Sequence, residues 1–327
     1  VVQSFCGLFS EGAMAKELKN FDTAHCGIIH DAQLDHYGEC LATASADGHI
    51  RLWDTREAEE PTFLADLGGH AGAVHQVAWA PAEVGVLLAS AGGDGVVLIW
   101  GQRSTPGDWQ IVRRESLEVH GPVLAVEWAP AEHGIILACA SADGAVTVVG
   151  HQGALLATQG PDDVPWDRVE HHWDRRTFPA HRGAANAISW ASAPTFNDGP
   201  LGLRGARFAT AGADGVRVWQ WKEAHISAGV WDAESMDTPA DLQAPARDVC
   251  WKTWDGVCET LAVSMGHTVV FWCLESSDNG ASRWTVRQRI DVKQDVWHLS
   301  WMEMGSTLML SCGDDEQSVV LMKQQLS

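Results

Sequence analysis

The stretch GECLATASADGHIRLWD, residues 38–54, holds an apolar pair, a run of small residues, Asp47-Gly48, and then Ile50, Leu52 and Trp53. That order describes one β-hairpin, because Asp-Gly suits the left-handed positions of a tight turn and apolar residues flank it on both sides. How often the hairpin recurs decides the fold. It returns as LASAGGDGVVLIW (88–100), LACASADGAVTVVG (137–150), FATAGADGVRVW (208–219), LAVSMGHTVVFW (261–272) and LMLSCGDDEQSVVLM (308–322). An apolar strand ending in Trp79, Trp128, Trp190, Trp251 or Trp301 precedes every later copy, and IIHDAQLDHYG (28–38) holds that place before the first. The hairpins end at 53, 100, 150, 219, 272 and 322, a spacing near that of one four-stranded propeller blade. The pattern predicts an all-β fold, a six-bladed β-propeller of four-stranded antiparallel blades over residues 21–327, after an N-terminal extension of residues 1–20. The interval between the third and fourth ends is the longest, which places an insertion within 151–180.

Inside a copy the recurring polar residues have a structural use. A His before the first strand, a Ser or Thr on the second, an Asp in the turn and a Trp on the third can join in one hydrogen-bonded set that fixes the turn and buries the indole. Copy two carries His70, Ser90, Asp94 and Trp100; copies one and four carry His25, Thr43, Asp47, Trp53 and His181, Thr210, Asp214, Trp219. Copy three keeps His120 and Asp143 but has Cys139 and Gly150 in the other two places, and copy five lacks both the His and the turn Asp. Those two rely more on apolar contact.

Composition narrows the function. The 327 residues are 46% hydrophobic, enough for a large core, and carry 22 Lys and Arg against 43 Asp and Glu, a net charge of −21. Direct binding to nucleic-acid backbone or anionic lipid has little electrostatic support at that charge. No run of about 18 apolar residues occurs, and VVQSFCGLFSEGAMAKELKN lacks the basic start and apolar core of a secretory signal, so a soluble intracellular protein is expected. The eight cysteines, at 6, 26, 40, 139, 250, 258, 273 and 312, form no C-x-x-C pair and read as small buried hydrophobes in a reducing compartment rather than as disulfides or zinc ligands. His30, Asp31, Asp35 and His36 invite a metal reading, but neighbours on a strand point to opposite faces, so no metal is expected. His171 and His172 sit in a polar insertion, and GDDE (313–316) reads as an acidic hairpin turn. With no G-x-S-x-G, no P-loop and no carboxylate pair set apart from the turns, the sequence predicts neither an enzyme nor a cofactor.

The repeats resemble Trp-Asp-repeat (WD) propellers, and FDTAHCGIIHDAQLDHYGECLATASADG, DLGGHAGAVHQVAWAPAEVGVLLAS, WAPAEHGIILACASADG, NAISWASAP, RDVCW and DVWHLSW narrow the resemblance to the Sec-thirteen family, from Phe21 to the C-terminus. IIHDAQLD opening blade one, a third blade without its Trp, and DVWHLSW in the last blade are its most specific signs. The extension over 1–20, the long charged segment 151–181 and APARDVCW in blade five depart from that pattern.

The resemblance implies an open six-bladed ring shared by the COPII vesicle outer coat, in ER-to-Golgi transport, and the Y-shaped scaffold complex of the nuclear pore. A partner with an α-solenoid, the larger COPII outer-coat subunit or a scaffold nucleoporin, then fills the gap with a donated β-blade. The protein is thus expected in a large hetero-oligomer, cytoplasmic at ER exit sites and COPII vesicles and at nuclear pores in the nuclear envelope, its membrane association indirect. The strands beside the gap carry Ile28, Ile29, His30, Asp31 and Leu34 in blade one and Val296, Trp297, Leu299 and Trp301 in blade six, and alternation lets about half of them face it. KELKNFDTAH (16–25) is placed to supply an outer strand to the last blade. Three alternatives stand beside this reading: a closed propeller that binds peptides on its top face as an adaptor, a subunit of a nutrient-signalling complex on lysosomes or vacuoles, and the sister nucleoporin of the same open architecture.

Overall fold

The structure is a computed structural model that describes residues 21–56, 61–103, 105, 107–117, 121–151, 173–192, 205–224, 228–234, 236, 239, 245–252, 258–276, 282–301, 307–313 and 318–323. Its strands form six antiparallel sheets in chain order. Sheet one holds β1 (Ile29–Leu34), β2 (Cys40–Ser45), β3 (His49–Asp54) and β4 (Thr62–Gly68); sheet two holds β5 (Val74–Trp79), β6 (Leu87–Gly92), β7 (Val96–Gln102) and β8 (Trp109–Ser116). Sheet three holds β9 (Val123–Trp128), β10 (Ile136–Ser141), β11 (Ala145–His151) and β12 (Trp173–Pro179); sheet four holds β13 (Ala185–Trp190), β14 (Arg207–Gly212), β15 (Gly215–Ala224) and β16 (Ala228–Ala233). Sheet five holds β17 (Asp248–Trp251), β18 (Thr260–Met265), β19 (Thr268–Ser276) and β20 (Ser282–Asp291), and sheet six holds β21 (Val296–Trp301), β22 (Thr307–Cys312) and β23 (Ser318–Lys323). This is an open β-propeller of six blades.

Each quoted hairpin is the middle of a blade. In sheet one, Leu41 pairs with Trp53 and Ala44 with Ile50 across the Asp47-Gly48 turn, where Gly48 has φ 85°. Glycine alone takes that backbone without strain. The runs of small residues have a second cause. Ala42 and Ala44 of β2 lie in one buried cluster with Val74, Val77, Leu88 and Leu98 of sheet two, so a bulkier side chain would hold the blades apart. Five such apolar clusters lie between consecutive sheets, from one and two through to five and six.

Among the described residues sheet six has three strands, and Phe21–His25, the described half of the segment expected to supply its outer strand, do not pair with it. They cover sheet one instead: the Phe21 ring lies 5.1 Å from Trp53, Arg51 donates to the Thr23 carbonyl at 2.7 Å, and His25 joins the turn. Residues 16–20 lie outside the described residues, as do His120, His171, His172 and most of the insertion; β12 is the outer strand of sheet three.

The polar sets stand in three blades. His25 meets Asp47 at 2.9 Å and Thr43 at 3.0 Å, with Trp53 Nε1 donating to the Thr43 hydroxyl at 3.2 Å. In sheet two, His70 meets Asp94 at 3.1 Å and Ser90 at 2.8 Å, and Trp100 donates to Ser90 at 3.0 Å. In sheet four, His181 meets Asp214 at 2.6 Å and Thr210 at 2.8 Å, and Trp219 donates to Thr210 at 3.0 Å. Burial pushes His70 and His181 down, so they stay neutral; Asp47 resists burial through bonds from His25 and nearby backbone N–H groups and falls to about 2. In sheet five Val263 stands where the hydroxyl would be, and Trp272 Nε1 is buried without a partner among the described residues. Thr210→Val, which keeps shape but strands the buried Trp219 and His181 nitrogens, is expected to cost about 2 kcal/mol, read as a lower urea midpoint at constant m.

Candidate functional site

Every consecutive pair of sheets is fastened near the ring axis by the same device. A side chain on the innermost strand of one sheet accepts a backbone N–H from the innermost strand of the next. Asp31 Oδ2 takes Val77 N at 3.0 Å, Gln76 Oε1 takes Val126 N at 2.8 Å, and Glu127 Oε2 takes Trp190 N at 3.2 Å. Ser189 Oγ takes Trp251 N at 2.9 Å and Asp248 Oδ2 takes Leu299 N at 2.6 Å. The strand-ending tryptophans add a second bond: Trp79 donates to the Gln33 carbonyl at 3.0 Å, Trp128 to Ala78 at 2.9 Å, Trp190 to Glu127 at 3.0 Å and Trp301 to Cys250 at 3.3 Å.

Among the described residues no such bond joins sheet six to sheet one. Leu34, opposite Leu41, holds the register place that Trp79 holds opposite Leu88, so β1 has no indole to donate. The N–H of Ala32, the counterpart of Val77, is taken by its own neighbour Asp31 Oδ1 at 2.9 Å. β1 has no buried residue, whereas Val74 and Val77 of β5 and Val123 of β9 are fully buried. Among the described residues the sixth joint, between sheets six and one, therefore lacks the fastening that the other five share, and the faces of these two end sheets border this joint, termed the gap.

The expected gap residues divide on this geometry. Ile29, half-buried, and Leu34 face the gap by register, and Ile28 stands 74% exposed at its mouth. Trp297 lies at the bulge opening β21, 56% exposed, with Nε1 on the Gly313 carbonyl at 2.8 Å and the Arg247 guanidinium 4.1 Å from its ring. The rest point elsewhere. Val296 and Leu299, 0% and 2% exposed, belong to the apolar cluster with Ala262, Val269 and Phe271 of sheet five, and Trp301 bonds to Cys250 there. Asp31 turns to sheet two, and His30, at the β1 bulge, lies 5.3 Å from the His75 ring. Asp35 accepts from Glu39 and Cys40 N–H and His36 lies against Tyr37, so the four residues weighed for a metal serve separate places.

Four gap residues were not foreseen: Ala32 on β1, and His298, Ser300 and Met309 on sheet six. Leu308 and Leu310 of β22 face sheet five, so Met309, between them, faces the gap and is half-buried. The repeats carry a signal for it. Ala42, Ala89, Ala138, Ala209 and Ala262 hold the equivalent place and are all fully buried beneath a following blade; only LMLSC puts a long side chain there.

His298 stands at the register of Asp31, Gln76 and Asp248, opposite Ser311, and bonds through Nδ1 to Asp248 Oδ2 at 2.9 Å while its side chain stays 51% exposed. Burial opposes its charge, but Asp248, with Asp31 and Glu127 across the axis, raises it to about 9. Burial also holds the Glu127 carboxyl well above the usual carboxylate range. Because the folded value exceeds the unfolded ~6.5, the imidazolium contributes its full stability below about 6.5 and loses it as pH rises through about 9. The thermal midpoint is therefore expected to fall across that window, and His298→Gln to flatten the fall in differential scanning calorimetry.

The comparisons agree with this architecture. Residues 16–54 and 61–101 match the family "WD domain, G-beta repeat". A chain of the "Crystal Structure of Mitotic Checkpoint Complex" superposes with TM-score 0.62 at 17% identity, covering 94% of this chain and 77% of that one, a likeness of fold. The "Protein SEC13 homolog" of Drosophila melanogaster is 33% identical over 95% of this chain and 82% of its own length. The "Protein transport protein SEC13" of Cryptococcus neoformans is 33% identical over 94% and 93%, and that of Debaryomyces hansenii 35% identical over 89% and 91%. With its WD repeats and this identity along nearly its whole length, the chain belongs to the SEC13 (Sec-thirteen) family of WD-repeat proteins.

Proposed function

We propose that this protein is a structural subunit of membrane-coating assemblies in protein transport, and that a partner completes its ring with a donated β-blade. The sixth joint carries the reading: five joints bear matched apolar faces and axial bonds, while among the described residues the last has no axial bond and leaves Ile29, Leu34 and Met309 half-buried. An inserted blade gains main-chain pairing and apolar burial together, and such obligate interfaces bury on the order of 2,000 Å² or more. The Cryptococcus and Debaryomyces relatives are named protein transport proteins, which favours the COPII outer coat, with the nuclear pore scaffold as a second site of use. On this reading residues 21–327 form one propeller, and the protein lies at ER exit sites, on COPII vesicles and at the nuclear envelope through its partners. It does structural work, with no reaction assigned to it.

The test is to express the tagged chain in its own cells, recover it at gentle salt and identify stoichiometric partners by mass spectrometry. A large α-solenoid protein with a short β-rich segment before its helices is the expected result, and its identity separates coat, pore and nutrient-signalling assemblies. Recovery as a soluble monomer with only peptide-like, substoichiometric partners would overturn the reading in favour of a self-sufficient adaptor.

A further inference from the structure

Sheet five holds two thiols in an arrangement that the gap does not use. Cys273 on β19 is directly opposite Thr260 on β18, and Cys258 precedes Thr260 by two residues, so all three side chains share one face. The ladder continues past β18, since Leu274 N donates to the Glu259 carbonyl at 3.0 Å. Cys258 Sγ lies 3.8 Å from Cys273 Sγ, and the Thr260 hydroxyl is 3.5 Å from the first sulfur and 3.6 Å from the second. Cys273 is buried and Cys258 half-exposed. A cation adds to the group: Arg287, the bulged residue of β20, favours the Cys273 thiolate against the burial that raises that thiol. A structural cysteine needs none of this. Cys139, fully buried, shows the plain case, its thiol pushed up by burial.

We infer that Cys258 and Cys273 form a dithiol modification site that a hydroperoxide converts to a disulfide in the folded protein. Cys258, the accessible sulfur, attacks the peroxide as its thiolate; the O–O bond breaks, a sulfenic acid forms on Cys258, and the departing hydroxide takes up the thiol proton as water. The Cys273 sulfur then attacks the Cys258 sulfur, the S–S bond forms, the S–O bond breaks, and the leaving hydroxide takes the Cys273 proton as a second water. Two thiols are oxidised and one peroxide is reduced to two waters. Arg287 favours the second attack by stabilising the Cys273 thiolate against its burial, which otherwise holds that thiol protonated.

The bond would tie residues 258–260 to β19 at a mechanically useful place. Between the two cysteines' neighbours, Glu259 reaches out of sheet five to Arg207 of sheet four at 2.7 Å, and Arg207 also pairs with Glu234 at 2.6 Å. Oxidation thus stiffens the outer part of the joint between sheets four and five, away from the gap.

The experiment treats the native full-length chain with one equivalent of hydrogen peroxide, blocks free thiols with N-ethylmaleimide and maps unreduced peptides by mass spectrometry. The expected product is a Cys258–Cys273 peptide short of two hydrogens, formed while the exposed Cys26 is still alkylated. Cys258→Ser abolishes it. In Cys273→Ser, Cys258 instead accumulates as sulfenic acid that dimedone traps, and Arg287→Leu slows cross-linking several-fold. If Cys273→Ser does not fold, the wild-type peptide and its loss in Cys258→Ser still decide the matter. Free alkylation of Cys258 after peroxide, its over-oxidation without a cross-link, or a cross-link formed only in urea would each overturn the proposal.

Discussion

Met309→Asp is expected to leave the chain folded and to weaken capture of the donated blade by roughly two to three orders of magnitude, an effect of the size that central interface residues carry. Met309 stands on β22 where the other blades have a buried alanine, and it is half-buried, with no sheet packed over it among the described residues. In the free chain its carboxylate successor meets water at little cost. Once a blade closes the gap, the same charge is sealed against apolar surface without a partner, which costs several kcal/mol. The measurement is co-purification of the stoichiometric partner, followed by titration of its blade segment into wild-type and variant chains by calorimetry. Met309→Ala, which restores the side chain found in the other blades, is expected to lose far less. Equal binding by Met309→Asp and wild type would remove this face from the interface.

Asp248→Ala carries the largest expected loss of stability, about 2–4 kcal/mol, because it removes a buried acceptor that two backbone N–H groups and a half-exposed imidazolium share. Asp248 is 7% exposed and serves three groups: Leu299 N at 2.6 Å, Val249 N at 2.9 Å and the His298 ring at 2.9 Å. Its loss leaves two backbone donors and an imidazolium without their acceptor. Among the described residues sheet six packs on sheet five alone, so the damage should release β21 and β22 before the other sheets. Hydrogen exchange of residues 296–312 should rise to the solvent rate at temperatures where sheets two and three stay protected; uniform loss of protection would show that the ring unfolds as one unit. Asp248→Asn, which keeps one acceptor oxygen but no charge, is expected to fall between.

Much of this was legible in the sequence because the propeller repeats itself. Each Asp-Gly turn, each closing tryptophan and each alanine run marks a blade independently, so the count of six rests on many residues, and the polar sets at His25, His70 and His181 follow from residues at fixed offsets. The gap was harder to read. Period-two alternation names two candidate faces for β21, and only the direction of blade packing decides that Val296, Leu299 and Trp301 meet sheet five while His298 and Ser300 meet the gap. The axial bonds were hidden for another reason: Asp31, Gln76, Glu127, Ser189 and Asp248 occupy two different register positions and four residue types, united only by accepting a backbone N–H hydrogen bond from the next sheet. Met309 left a signal, visible once the hairpins are aligned, as the one long side chain in a column of alanines.

Those axial bonds all run the same way along the chain, with the acceptor on the earlier sheet and the donor on the later one. The ring is therefore a short polar array with unlike ends, in the way a head-to-tail polymer is. At the end formed by sheet six it offers the Ser300 carbonyl, counterpart of the Cys250 carbonyl, and the His298 imidazolium, a donor at the register where Asp248 is an acceptor; at the end formed by sheet one it offers Ala32 and Leu34, already supplied or apolar. On the proposed reading, a donated strand would meet hydrogen-bonding demands on one flank and almost none on the other. By the same reading, a blade of the right shape inserted back to front would leave the demands of the sheet-six flank unmet, so this joint would select the direction of its guest as well as its size.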